Sequence, residues 1–191
     1  MLSFKVLLLC VVGLGMMMMS AGAAKAANPI VVIETSMGTI KVELFEDKAP
    51  ISVKNFLDYA EAKHYDGLTF HRVIEKFMVQ GGGMEPGGNQ KKTKDAIKNE
   101  STNGLSNLRG TVAMARTNVA DSATSQFFIN TVDNEFLDKA KSRDMVGYCV
   151  FGRVIEGMDV VDKIKVVKTS PGDVPVQDVL IKSVKKAEEK K

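Results

Sequence analysis

Short β-rich runs separated by turn residues dominate this sequence and restrict its fold more than any other feature. Only two segments carry a clear helical pattern, one that begins at Pro50 and one over Met158–Ile164. Because about eight short strands do not alternate regularly with helices, a doubly wound parallel sheet is disfavoured. The pattern predicts a mainly β fold, a closed antiparallel barrel with the two helices over its open ends. Besides a hairpin over Phe70–Gln80, the predicted strands span Ile30–Glu34, Thr39–Phe45, Thr111–Ala115, Gln126–Asn130, Tyr148–Val154 and Val176–Val184.

The start of the chain has the pattern of a removable export signal. Lys5 gives a positive charge, Val6–Met19 is an uncharged apolar run, and a small-x-small site, AKA, follows. The sequence therefore predicts a signal peptide over 1–26, a periplasmic protein, and one domain over 27–191. The alternative is an uncleaved membrane anchor that leaves the domain facing the periplasm. The apolar part is, however, shorter than the roughly 20 residues that a bilayer requires.

The net charge gives no sign of a nucleic-acid-binding surface. It is +3 for the whole chain, and Lys5 and Lys25 belong to the predicted leader, which leaves 3 − 2 = +1. Proteins that bind nucleic acid usually carry a strong basic patch. The sequence therefore predicts no nucleic-acid partner, and no stable membrane association once the leader is removed.

Outside the leader the chain has a single cysteine, Cys149. One cysteine cannot form an internal disulfide, so the core alone must hold the fold in an oxidising compartment. The surrounding run, GYCVFGRV, is typical of a strand. It predicts a small buried apolar residue rather than a reactive thiol.

One arginine lies within an apolar hairpin sequence, FHRVIEKFMVQGGG, from Phe70 to Gly83. A buried guanidinium without a partner is costly, so Arg72 needs an explanation. It either pairs with a carboxylate such as Glu100 or faces a cleft that requires a fixed cation, and the two are compatible. The three glycines at the end predict a turn or a close approach of the backbone.

Other common chemistries find little support. The two histidines, His64 and His71, have no partners at metal-ligand spacing, so no metal site is expected. Ser125 with His71 would make a hydrolase pair, but no G-x-S-x-G motif surrounds the serine. The glycine run lacks the G-K-[ST] ending of a phosphate-binding loop. A serine hydrolase is kept only as an alternative.

The hairpin is one of several blocks that follow one another between Ile30 and Val184. The others are NFLDYA, IKNE, RGTVAMA, TSQFFIN and FGRVIEGMDVVDKI. Together they resemble the cyclophilin family of peptidyl-prolyl cis/trans isomerases, and AMAR and DSATSQ are similar to its exported bacterial branch. The resemblance implies an eight-stranded antiparallel barrel capped by two helices and an enzyme that needs no cofactor. We expect a monomer whose partners are proline-containing unfolded or partly folded proteins and peptides.

The resemblance also implies a role for individual residues, with Arg72 as the catalytic one. The substrate-binding residues would be Phe77, Met78, Phe128 and Leu137 around the proline ring, Gln80, Ala115, Arg116 and Gln126 along the peptide backbone, and Phe136 and Tyr148 at the rim. Three of them depart from the common family pattern: Phe136 replaces tryptophan, Tyr148 histidine and Arg116 asparagine. Strand alternation turns Phe127 away from Phe128, so Phe127 is predicted to lie in the core.

An arginine suits rotation about an X-Pro bond because this reaction needs no net proton transfer. As the bond twists, the proline nitrogen regains a lone pair, and a permanently charged donor would bind that state better than the planar one. The alternative is a chaperone module that binds proline peptides in the same groove and whose turnover is incidental. The sequence does not separate these two hypotheses.

Overall fold

The computed structural model describes residues 27–188, so the predicted signal peptide over 1–26 lies outside the described residues. The described strands are β1 (Ile30–Thr35), β2 (Gly38–Leu44), β3 (Arg72–Ile74), β4 (Met78–Gly81), β5 (Thr111–Met114), β6 (Phe127–Asn130), β7 (Val150–Glu156), β8 (Thr169–Ser170), β9 (Val174–Pro175) and β10 (Ile181–Lys186). The helices are α1 (Pro50–Glu61), α2 (Met158–Lys165) and a 3₁₀ turn over Glu135–Leu137. No helix within 27–188 combines the length and the apolarity that a bilayer crossing requires.

Eight of these strands form one curled antiparallel sheet, in the order β10-β1-β2-β7-β5-β6-β4-β3. Its two end strands do not share a continuous ladder. Instead, the segment before β3 bonds to the segment at the start of β10, where Gly67 N donates to Ile181 O at 2.9 Å and Phe70 N to Val179 O at 2.9 Å. The predicted fold class, mainly β with eight antiparallel strands and two helices, is confirmed, although the sheet is a curled half-barrel rather than a closed barrel.

Helix α1 closes one side of the barrel interior. Proline at its first position needs no N–H partner, and the helical spacing then buries Val53, Phe56 and Ala60 against the sheet. The Phe56 ring meets the edge of Phe127, with ring centroids 5.3 Å apart. Phe127 is fully buried, as its alternation along β6 predicted.

The last strand differs from its predicted bounds. The β pattern over 176–184 predicted one strand, whereas β10 begins only at Ile181. The residues before it turn toward the β3 end of the sheet, where Thr69 and Leu180 form an isolated bridge. The small pair of β8 and β9 was not predicted, although the sequence between them, PGD, is a strong turn signal.

The position of Cys149 leads to a first prediction. Its side chain is buried, Ser52 Oγ lies 3.4 Å from its sulfur, and burial raises the pKa of the thiol to about 11. A thiolate is the reactive form, so at pH 8 we expect the native protein to react with a disulfide reagent at least ~100-fold more slowly than the unfolded chain. Absorbance of the released thiol measures both rates. Rapid labelling without denaturant would contradict a buried, inert Cys149.

Candidate active site

The register of four strands places a cation, an amide and an aromatic ring in one row. Arg72 on β3 lies opposite Gln80 on β4, Gln80 lies opposite Phe128 on β6, and Phe128 lies opposite Ala113 on β5. Residues directly opposite each other in antiparallel strands point to the same face of the sheet. The alternate residues, such as Val79, belong to the barrel core. The row therefore lies on the other face of the sheet from that core.

A cavity of about 150 Å³ lies on this face. Nine of the residues that the sequence singled out line it: Arg72, Phe77, Met78, Gln80, Ala115, Arg116, Phe128, Leu137 and Tyr148. Its floor is apolar, since Met78, Phe128 and Leu137 are all at least 93% buried. Larger grooves elsewhere on the described surface, including one of about 580 Å³ between α1 and β10, have no aromatic lining residue.

Aromatic pairs form the walls of this cavity. Phe136, 57% exposed, stacks on Phe77 with centroids 5.7 Å apart, so it shields that wall from outside. On the other side Phe128 meets Tyr148 edge to face at 5.8 Å. The backbone N–H of Tyr148 donates to Leu137 O at 2.9 Å. The cavity can hold a compact apolar ring while one side stays open to solvent.

Arg72 pairs with a different carboxylate from the one that the sequence suggested. Its Nε lies 3.5 Å from Asp173 Oδ2, and both side chains are close to half exposed. The Glu100 suggestion is wrong, because that carboxylate caps α1 and accepts hydrogen bonds from Ile51 N and Ser52 N. Helix N-termini favour such a negative group, so Glu100 has a structural use. The guanidinium of Arg72 stays accessible at the cavity edge.

A second cavity of about 250 Å³ adjoins the first and shares Gln80, Ala115 and Arg116 with it. Gln126 lines this second cavity, and its side chain accepts a hydrogen bond from Gln80 Nε2 at 2.8 Å. The glycine run allows the backbone to pass close to the side chain of Gln126. A Cβ on Gly83 would lie 2.4 Å from the Gln126 side chain, so the predicted close approach of the backbone is confirmed.

Arg116 is turned inward, although it was expected to contact the peptide backbone. Its side chain is only 2% exposed. Its Nε donates to Gly147 O at 3.0 Å, one terminal nitrogen donates to Thr117 O, and the other pairs with Asp144. The guanidinium carbon also lies 4.4 Å from the centroid of the Tyr148 ring. Arg116 lines both cavities, while its guanidinium is already bonded within the protein.

Comparison with known proteins identifies the family. The family model of the cyclophilin type peptidyl-prolyl cis-trans isomerase/CLD matches residues 30–186. This chain belongs to the cyclophilin family. It is 56% identical to peptidyl-prolyl cis-trans isomerase B of Escherichia coli (strain K12), over 81% of this chain and 98% of the relative. It is 48% identical to peptidyl-prolyl cis-trans isomerase A of Dickeya dadantii (strain 3937), over 96% and 98% of the two chains. This cyclophilin is therefore a peptidyl-prolyl cis-trans isomerase.

Solved structures agree with the assigned fold. This cyclophilin aligns with the Cryptosporidium parvum cyclophilin type peptidyl-prolyl cis-trans isomerase with a TM-score of 0.71 and 25% sequence identity. The alignment covers 84% of this chain and 99% of the other. That structure was determined in the presence of the dipeptide Ala-Pro.

A buried polar network beneath the cavity escaped sequence reasoning. Asn134 donates to Phe77 O at 2.7 Å, Asn107 donates to Tyr148 O at 3.3 Å, and Asn130 links the two asparagines. Burial acts to raise the pKa of Asp138, but the hydrogen bonds that it accepts from Ser106 and Asn107 together outweigh burial and lower that pKa. The network ties the backbone of both cavity walls to one rigid base. Scattered asparagines carry no periodic signal, so the sequence could not reveal it.

The hydrolase alternative is not supported in this cyclophilin. Ser125 is fully buried, and its hydroxyl has no hydrogen-bond partner among residues 27–188. A serine nucleophile needs a base within hydrogen-bond reach. His71 is only partly buried, and its buried Nδ1 lacks a partner within the same range. Burial lowers the pKa of His71, which makes the neutral imidazole its form at neutral pH.

Proposed function

We propose that Arg72 accelerates X-Pro rotation by donating a hydrogen bond to the proline nitrogen while the apolar cavity holds the proline ring. The observation that carries this proposal is that the half-exposed guanidinium of Arg72 lies at the edge of an apolar cavity of about 150 Å³. Gln80, directly opposite Arg72, supplies an amide for the adjoining peptide. In this proposal Phe77, Met78, Phe128 and Leu137 bind the ring.

The chemistry of the bond explains why a cation is useful. Amide resonance sets a rotation barrier of about 18–20 kcal/mol. When the bond twists, resonance is lost and the nitrogen becomes pyramidal, with a lone pair that accepts a hydrogen bond. The planar ground state offers no such acceptor, so a donor at that position stabilises the transition state selectively. Arginine stays charged at all relevant pH values and holds its donors in a rigid fork.

The required stabilisation is within reach of such a site. Uncatalysed X-Pro isomerisation takes tens to hundreds of seconds at 25 °C. Reaching roughly 10 turnovers per second requires a factor of about 10²–10³, or some 3–4 kcal/mol. One charge-assisted hydrogen bond in a water-poor pocket, together with anchoring of the peptide, can provide this. A protease-free assay on a short X-Pro peptide, with Arg72→Ala as the variant, tests the proposal. Equal rates for the two proteins would exclude it.

We also propose that this cyclophilin acts in the periplasm on exported proteins whose folding waits for X-Pro bonds. The proposal is supported by the charged, apolar and small-x-small order of residues 1–26. We expect mass spectrometry of the protein isolated from its native cell to find a mature chain that begins at Ala27. Soluble protein with an intact Met1 would contradict cleavage. Membrane-bound protein with an intact Met1 would favour the anchored alternative.

A further inference from the structure

We propose that Asp144 and Arg116 form a brace that fixes Tyr148 as a wall of the proline cavity, and that both act as positioning residues. The inference rests on the cavity assigned above as the active site. It gives Arg116 an indirect role in place of the direct peptide contact that the family resemblance implied. It also brings Asp144, which no motif marked, into the substrate-binding machinery.

The first support is that the Arg116 side chain is almost entirely buried and its guanidinium is bonded to partners within the protein. With 2% of its side chain exposed, each of its three nitrogens already donates to Gly147 O, Thr117 O or Asp144. Because so little of the side chain is exposed, a bound peptide has little access to the N–H groups that these bonds leave over. The charge of Arg116 is also already balanced by Asp144.

The second support is the stacking of Arg116 on Tyr148. The guanidinium carbon lies 4.4 Å from the ring centroid, a distance typical of a cation–π contact. Tyr148 also contacts Phe128, and the two rings meet edge to face at 5.8 Å. Tyr148 therefore contacts both a planar cation and a ring of the cavity floor. Without the cation, the tyrosine ring would have more rotational freedom and the cavity a less defined wall.

The third support is the way in which Asp144 fixes the loop that carries Tyr148. Its Oδ1 accepts from Val146 N at 3.0 Å and from Gly147 N at 3.3 Å, while its Oδ2 pairs with Arg116. The hydrogen bond from Arg116, followed by those from the loop backbone, lowers the pKa of Asp144 well below its usual range. The carboxylate thus joins the arginine to the two residues that precede Tyr148.

These contacts predict the kinetic signature of a positioning residue. A loosened Tyr148 weakens binding of the proline ring in the planar and the twisted state alike, so KM should rise while kcat changes little. A cation–π contact of this kind corresponds to an effect of about three- to tenfold on KM. The same change is expected for Asp144→Asn and for Arg116→Lys, since lysine cannot reproduce a planar, multiply bonded stack.

The chain offers a matched control in Glu43, Arg153 and Phe45. Arg153 Nε pairs with Glu43 at 2.9 Å, and its guanidinium carbon lies 5.9 Å from the Phe45 ring centroid. None of the three lines the cavity. Glu43→Gln therefore neutralises the carboxylate of a similar carboxylate–arginine–aromatic group outside the site. We expect KM and kcat of this variant to stay within about twofold of the unchanged protein.

The experiment is steady-state isomerase kinetics on one X-Pro peptide for these variants, with Asp144→Asn repeated in a Tyr148→Ala background. We expect Asp144→Asn to raise KM when Tyr148 is present. In the Tyr148→Ala background it should leave KM unchanged, because the residue that the brace positions is then absent. A KM effect that is absent, or that persists without Tyr148, overturns the proposal. A fall in kcat at constant KM also overturns it, since Arg116 would then act on the twisting bond.

A second measurement does not depend on the folding of Tyr148→Ala. The chain has three tyrosines and no tryptophan, so the near-ultraviolet circular dichroism reports directly on tyrosine environments. Asp144→Asn and Arg116→Lys should weaken that signal, whereas Glu43→Gln should not; an unchanged signal in the first two overturns the brace. Arg72→Ala distinguishes failure of the brace from failure of the active-site assignment. An unaltered kcat in Arg72→Ala rejects the active-site assignment itself. A reduced kcat in Arg72→Ala, together with an unchanged KM in Asp144→Asn, rejects only the brace.

Discussion

Replacing Arg72 with alanine should lower kcat/KM for an X-Pro peptide by about 10- to 100-fold, because a hydrogen bond to a charged group contributes about 1.5–3 kcal/mol. The change should fall on kcat, since the planar substrate offers no nitrogen lone pair to the arginine. The fold should persist. Arg72 is half exposed, and exposed ion pairs such as the one with Asp173 contribute only about 0–1 kcal/mol. Protease-free isomerisation kinetics measure the first effect and thermal unfolding the second.

Arg72→Ala removes two things at once, the donor and the ion pair, and Asp173→Asn separates them. The asparagine variant keeps the guanidinium and loses only the carboxylate that lies 3.5 Å from its Nε. We expect its kcat/KM to stay within about threefold of the unchanged protein. If Asp173→Asn lost as much activity as Arg72→Ala, the ion pair rather than the donor would carry catalysis. The mechanism proposed for Arg72 would then be wrong.

The features that sequence reasoning predicted well are those set by local periodicity. Alternation of two along β6 put Phe127 in the core and Phe128 on the cavity face, and the structure agrees: Phe127 packs in the barrel core and Phe128 lines the cavity. Proline at position 50 and the helical spacing that follows it predicted α1 within a residue or two. Such patterns depend only on residues that are close together in the sequence.

The features that it missed depend on contacts between distant segments. Asp173, rather than Glu100, lies beside Arg72 because the β8–β9 turn folds back on β3, where Val73 N donates to Asp173 O. No local pattern specifies that return. The inward turn of Arg116 likewise depends on where the loop of Asp144 lies. The family resemblance named most of the cavity residues, but it could not say which donors were already used within the protein.

Among glycine-to-alanine substitutions near the cavity, Gly147→Ala is expected to lower the stability of the fold the most. Gly147 has φ = +73°, and a Cβ there would lie 2.5 Å from Lys139 N and 3.0 Å from Leu137 O. A left-handed conformation costs a non-glycine residue about 1–2 kcal/mol, and overpacking adds about 1–3 kcal/mol. We therefore expect the free energy of unfolding to fall by about 2–5 kcal/mol, as measured by urea titration.

The same methyl group should also damage the active site. Leu137 O, which the new Cβ would approach, accepts the hydrogen bond from Tyr148 N that joins the floor of the proline cavity to one of its walls. Pushing Lys139 and Leu137 away from Gly147 widens that junction, so we expect kcat/KM of the folded variant to fall at least about tenfold. Gly87→Ala is the matched control: Gly87 has φ = +87° but no atom within 4 Å of an added Cβ. It should cost only the conformational part, about 1–2 kcal/mol, and leave activity unchanged. If both variants lost equal stability and both kept full activity, the close approach at Gly147 would play no part in holding Tyr148 and Leu137 together.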